Sequence, residues 1–321
     1  MNGPFFEDLE PGRIFISDGM TITEGHSAWF HSFAGDRNPV HLDDRIAQKI
    51  GLARAPLSTA LLAHVAIGHS TVATHEVVAN LLYSNVLFPR PVVPGVTLTT
   101  MTTVLARSEA SPRPDRPPRG KVLLGISSVD DGGQTVVEMT RTALVLKASP
   151  VESRERAVVE PAVRNSSEIV GALGEWAPIA SALSPLAPGW CDSAIGPDDL
   201  ADPVVGALEL VRVTGNLAKA HRDPLFGQNG RRLVYGGHTI SIAQAALSRL
   251  IGGEHVVVGW ESCHHPSPVF EEDLLSTAIT EHLELGRLKV GSLTRLQTET
   301  TSGERDHQVQ YWAPLVLAAE S

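Results

Sequence analysis

Cysteine is scarce in this sequence: Cys191 and Cys263 are two among 321 residues. That is too few for a disulfide scaffold, and too few for a zinc site built on cysteine. Aromatic residues make up 5% of the chain against 42% for all apolar residues. A core must therefore be built from Ala, Val, Leu and Ile, and there is enough of these to exclude a disordered chain. No run of 18 apolar residues occurs, which excludes a membrane-spanning helix. There is no excess of positive charge either: 26 Lys and Arg face 36 Asp and Glu, a formal net charge of −10. An acidic surface disfavours nucleic acid and anionic membrane as partners, although a local basic patch can still grip a phosphorylated ligand. The opening MNGPFFEDLEPG carries acidic residues where a secretory signal has basic ones before an apolar stretch. The expectation is a cytoplasmic, metal-free protein, and at about 150 residues per domain the length suggests two domains.

A weak internal repeat supports that division. AGDRNPVHLDD at 34–44 and TGNLAKAHRDP near 214 superpose with an offset of 180, which places Gly35 on Gly215, Asp36 on Asn216, His41 on His221 and Asp43 on Asp223. An offset of 177 then places Pro91-Val92 on Pro268-Val269 and Leu98 on Leu275. One short deletion between the two blocks explains the change. The repeat divides the chain into an N-terminal unit at 1–149, a Pro/Ala/Ser/Glu-rich linker at 150–190 and a C-terminal unit at 191–321.

Each unit reads in the same order. Glu24 to Ala34, capped by Thr23, and Val205 to Thr214 are short helices before the motif. Pro56 to His69 and Gly236 to Ile251 follow it, apolar or small on nearly every face, as buried helices are. Strands are expected at Glu76–Leu87, Thr97–Ala106, Lys121–Val129 and Thr135–Leu146, with Asp130 to Gly133 as a hairpin turn. The second series is His255–Trp260, Leu274–Leu283, Leu288–Thr298 and His307–Leu317. Short turns join neighbouring strands, so the sheets should be antiparallel and wrapped around a helix: an α+β fold. In the linker, a short helix is expected near Ser167 to Trp176.

Asp36-Arg37-Asn38-Pro39-Val40-His41 brings a carboxylate, a carboxamide and an imidazole within six residues. The bland reading is that Asp36 and Asn38 cap turns and His41 is half-buried. The sharper one is an acid/base pair holding a water, with Asn38 orienting it. First-turn amides of the next helix, around Leu57 to Leu61, lack intrahelical partners and could bind a carbonyl oxygen that gains charge. Arg54, Arg90, Arg231 and Arg232 are candidates for phosphates or a substrate carboxylate, or simply for surface solubility. Tyr235 offers an acyl pocket a ring with one polar tip. Gly236-Gly237 suggests close backbone approach. His64 and His69 read as packing histidines, Cys263 as a core residue, and His264-His265 lacks the company a metal site needs.

Phe33 to Asp43 (FAGDRNPVHLD), the Ala55-Pro56 step before a helix, and Phe88 to Leu98 (FPRPVVPGVTL) together resemble the MaoC-like (R)-specific enoyl-CoA hydratases and dehydratases. FFEDLEPG and Arg231 to Ser241 (RRLVYGGHTIS) are similar to two-hotdog members such as mesaconyl-CoA hydratases, also called β-methylmalyl-CoA dehydratases. The resemblance implies a double hotdog, two antiparallel sheets each wrapped around a central buried helix. It implies Asp36 and His41 as the catalytic pair, Asn38 as the water-positioning residue and the Ala60 amide as the oxyanion donor, where relatives carry glycine. In the second half Gly237 matches that glycine, but Asn216 and Ala218 replace the acid and the asparagine, leaving His221, with Asp223 nearby, as a competing site. The implied reaction is reversible hydration of an unsaturated acyl-CoA or acyl-carrier thioester. No cofactor is implied beyond the coenzyme A of the substrate, and the protein is expected as a monomer or homodimer. A thioesterase and a non-catalytic acyl-thioester binder are the alternatives.

Overall fold

The fold is that of a computed structural model, which describes residues 3–112, 116–149, 160–184, 197–288, 291–303 and 307–319. In the first half, β1 (Ile14–Ile16), β2 (Met20–Thr21), α1 (Glu24–Ala34), α2 (Asp44–Lys49) and α3 (Thr59–Ser70) precede β3 (Val77–Leu87), β4 (Thr97–Glu109), β5 (Arg119–Val129) and β6 (Thr135–Leu146). Helices α4 (Ser166–Ala172) and α5 (Ala177–Ala180) lie between the halves. The second half contains β7 (Asp202–Pro203), α6 (Ala207–Val213), α7 (Gly236–Ile251), β8 (His255–His264), β9 (Leu274–Leu288), β10 (Gly291–Ser302) and β11 (His307–Ala319).

The strands are ordered β1-β4-β5-β6-β3-β8-β11-β10-β9-β7, with β2 on β4. The order reads the same outward from the β3–β8 seam, so the two halves are related by an approximate twofold. All strand pairings are antiparallel. The expected two sheets meet edge to edge as one, with Tyr83 opposite Cys263 and Leu87 opposite Gly259. Edge pairing satisfies backbone groups that each half-sheet would otherwise leave open.

The sequence explains the central helices directly. Eleven of the twelve residues of α3 are buried, His69 being the exception, as its apolar composition on every face requires. In α7, Gly237 to Leu247 are buried without interruption. One core cluster spans both halves, joining Phe30, Leu61 and Val65 to Tyr235, Leu247 and Trp312. A second lies under the segment between the halves, where Ile169, Leu173 and Trp176 pack with Val40, Ile50, Val256 and Leu315. The described part of that linker is therefore packed into the protein, not laid over its surface. Trp176 is 1% exposed, and its Nε1 donates to the Phe88 carbonyl at 2.6 Å. Cys263 is buried in the core, whereas Cys191 lies outside the described residues.

Some element bounds differ from the sequence reading. The strand expected at Leu288–Thr298 is split, because β9 runs on to Leu288 and β10 begins only at Gly291. Helix α3 starts at Thr59, not Pro56: the Leu57 amide donates to the Val92 carbonyl at 2.7 Å, holding residues 56–58 extended.

The halves also touch where α3 passes the end of α6. A Cβ added at Gly68 would lie 2.1 Å from the Thr214 carbonyl oxygen, which is backbone and cannot swing aside. Gly68→Ala is therefore expected to destabilise the protein by about 1–3 kcal/mol, the ordinary cost of overpacking. The drop in the urea midpoint, with the slope unchanged, measures it.

Candidate active site

Helix α1 delivers the motif. Thr23 caps its start, Oγ1 accepting from the His26 amide at 3.3 Å. Gly35 ends it at φ +71°, a conformation costly for any residue with a Cβ. The chain then turns on its own side chains. Asp36 Oδ1 accepts the Asn38 amide at 3.0 Å, and Asn38 Oδ1 accepts the Val40 amide at 3.0 Å. Pro39 opens a one-turn 3₁₀ helix, Pro39–His41. Capping, the bland reading of Asp36 and Asn38, thus holds, but it uses only one terminal atom of each side chain. Asp36 Oδ2 accepts from Gln244 Nε2 at 3.1 Å, across from α7 of the other half. Asn38 Nδ2 donates to the His255 carbonyl at 2.9 Å.

His41 is 3% exposed, more buried than the sequence suggested. A carbonyl only accepts, so the 3.1 Å contact with the Pro56 oxygen places the proton on Nδ1. Nε2 then carries a lone pair, and it has no partner. Burial lowers the His41 pKa to about 4, against the opposing pull of Asp36. The imidazole is neutral at pH 7, with its basic nitrogen unused.

Gln244 Nε2 also lies 3.4 Å from Ser58 Oγ, which ties the start of α3 to Asp36. Ser58 makes no side-chain cap, and the first intrahelical bond of this turn runs from the Leu62 amide to the Ser58 carbonyl. The amides of Thr59, Ala60 and Leu61 have no intrahelical acceptor and present the positive end of the helix dipole. Asp36, Asn38, His41 and the α3 amides are thus brought to one place.

Three participants were missed from the sequence: Gln244, His255 and His31. Burial lowers the pKa values of both His255 and His31, while Asp36 and backbone contacts, with Gly252 and Gly253 for His255 and with Asp36 for His31, raise them. Only Gln244 left a signal, as a long polar side chain within an apolar helix.

The second-half motif repeats this geometry without the chemistry. Asn216 Oδ1 accepts the Ala218 amide at 2.9 Å, as Asp36 does for Asn38, and His221 Nδ1 donates to the Leu233 carbonyl at 2.9 Å. Asp223, considered as a partner for His221, instead accepts the Leu225 amide at 2.9 Å. Gly237 lies at the start of α7, where an added Cβ would meet the Tyr235 ring at 2.4 Å. Of the four arginines, Arg54 pairs with Glu24, and Arg90 pairs with Asp130 of the hairpin turn. Arg232 pairs with Glu271 at 3.2 Å, and Arg231 donates to the Glu271 carbonyl while stacking on Phe270. The structure does not bring them together. Among the described residues no cluster of three His, Cys, Asp or Glu could hold a metal, and no helix is long and apolar enough to cross a membrane.

The symmetric strand order around two buried helices defines a double hotdog. Residues 9–112 match the MaoC-like domain. The chain is 27% identical to a β-methylmalyl-CoA dehydratase of Chloroflexus aurantiacus, over 96% of this chain and 91% of that one. It is 27% identical to a mesaconyl-CoA hydratase of Cereibacter sphaeroides, over 84% and 81% respectively. Among solved structures, a conserved hypothetical double-hotdog protein of Mycobacterium tuberculosis superposes with a TM-score of 0.78 at 29% identity, covering 98% of this chain and 99% of that one. Residues 9–112 thus form a MaoC-like domain, and the chain as a whole is similar to double-hotdog hydratases and dehydratases.

Proposed function

We propose that the protein reversibly hydrates an α,β-unsaturated acyl-CoA thioester to the (R)-3-hydroxyacyl-CoA, with Asp36, His41 and Asn38 as its site. The observation that carries this is the neutral His41 with its Nε2 unpartnered, in the same buried pocket as the Asp36 carboxyl. His41 Nε2 takes a proton from water as the water oxygen bonds to the β carbon. Charge passes to the thioester oxygen, which faces the free amides of α3 near Ala60. His41 passes that proton to the Asp36 carboxylate, which delivers it to the α carbon on the same face, leaving both groups as they began. Net, one water is added, syn. Asn38 anchors the turn on the His255 carbonyl and so sets the direction of His41. Asp36 and His41 are 2% and 3% exposed, so the packing over them must part for substrate to enter.

A short branched or dicarboxylic acyl group such as mesaconyl is the substrate favoured by the named relatives. A thioesterase has less need of two opposed proton carriers. The test uses crotonyl-CoA and mesaconyl-CoA, following loss of enoyl-thioester absorbance beside free thiol. Absorbance loss without thiol is expected. Thiol release would make the protein a thioesterase, and neither signal would make it a binder. A second reading rests on one observation: an open cavity lies against His221, not His41. Thioester chemistry there would have a base but no second proton carrier, since Asn216 replaces the acid.

A further inference from the structure

The cavity beside the second-half motif holds about 450 Å³. Its walls come from β3, β5 and β6 of the first half, and from the Asn216–His221 turn and the start of α7 in the second. Its charge is unlike that of the rest of the molecule. In a chain of net charge −10, the described residues lining this cavity include three arginines, Arg116, Arg119 and Arg141, and no Asp or Glu.

Arg141 is the residue that needs a partner. It is 3% exposed, and a guanidinium stays charged wherever it is placed. Nε donates to Asn80 Oδ1 at 2.9 Å, and Nη1 donates to Ser70 Oγ and Thr74 Oγ1 at 3.2 Å each. Its Cζ lies 6.0 Å from the Tyr83 ring centre. All these partners are neutral, and among the described residues no carboxylate answers the charge. Among the described residues nothing bonds Nη2. An unpaired buried charge is costly, and a bound anion with good geometry removes that cost. A second buried group is also unsatisfied. The Tyr235 hydroxyl, in a residue 2% exposed, has only a loose contact with the Tyr83 side chain. The amides of Gly236 and Gly237, at the start of the sixteen-residue α7, add the positive end of a helix dipole.

We propose that this cavity is a binding site for a small carboxylate with an apolar body, held by Arg141 Nη2 and the Tyr235 hydroxyl. Val77, Val78, Leu144 and Val269 supply the apolar wall, which suits an aliphatic carboxylate better than a fully hydrated phosphate. The site is separate from the Asp36 centre. Tyr235 and Gln244 are the corresponding contacts on α7, nine residues or ~13 Å apart along the axis. The cavity lining includes none of Asp36, Asn38 and His41. The inference therefore stands whether or not Asp36 is the hydratase centre.

Calorimetric titration of the full chain with isovalerate, with mesaconate and with inorganic phosphate tests it. A carboxylate should bind, and Arg141→Gln should weaken it at least tenfold, since it removes a charge-assisted contact. A crystal soaked in the same carboxylate should show it within hydrogen-bond distance of Arg141 Nη2. That measurement needs no variant, so it decides the matter even if Arg141→Gln fails to fold. Binding of phosphate without any carboxylate, undiminished binding in folded Arg141→Gln, density elsewhere, or no binding by the wild type at 20-fold the concentration of about 1 mM would each overturn the proposal.

Discussion

Asp36→Asn and His41→Ala should each lower kcat for enoyl-thioester hydration by about 10²- to 10⁴-fold, the usual contribution of a positioned acid or base. The Asn variant is isosteric and can still accept the Asn38 amide through its carbonyl oxygen, so the turn survives. What it loses is the second proton carrier. His41→Ala removes the unpartnered Nε2 and frees the Pro56 carbonyl from its bond to Nδ1. Circular dichroism and a thermal melt must show both variants folded for the rates to be read as chemistry. KM should move far less than kcat, since neither group is asked to bind the ground state more tightly than the transition state. His221→Ala assigns the working half. A larger loss there than at His41 moves the reaction to the second-half cavity, and full activity in both first-half variants removes Asp36 and His41 from the mechanism.

The motif was legible because its parts are close in sequence: Asp36, Asn38 and His41 act through a turn that their own side chains build. The buried helices were equally legible, since an apolar surface all round admits no exposed face. What the sequence hid is long-range. Gln244 reaches Asp36 over 208 positions, and a polar side chain within an apolar helix marks it as unusual without saying what it meets. Arg141 was hidden for a similar reason. It stands in a strand whose alternation predicts an inward position, but inward polar residues are unreadable until their partners are known. The four arginines that were singled out stood beside motifs and proved to be engaged by Glu24, Asp130 and Glu271. Proximity in sequence to a motif is weak evidence where the ligand is held by the opposite half.

Acid should unfold the protein well before its carboxylates are spent. Burial lowers His41, His221, His238 and His265 to about 4, and His64 to about 3. In the unfolded chain each returns to 6.5. Between pH 6.5 and 4 the unfolded state therefore binds more protons than the folded one, so stability is fully present above 6.5 and is lost as pH falls. Each such group costs about 1.4 kcal/mol per pH unit. The five groups act in the same direction, so the loss of stability with falling pH is steep. Urea midpoints measured from pH 8 to 4 should be flat at the top and fall steeply below pH 6. His238 isolates the cause, because neither of its ring nitrogens has a hydrogen-bond partner to lose. His238→Leu should shift the acid midpoint to lower pH while leaving the pH 8 stability within about 1.5 kcal/mol. An acid midpoint unmoved by that substitution would place the transition on the carboxylates instead. Because unfolding comes first, the fall in hydration rate below pH 5 should track the loss of helical signal, not the titration of His41 in a folded enzyme.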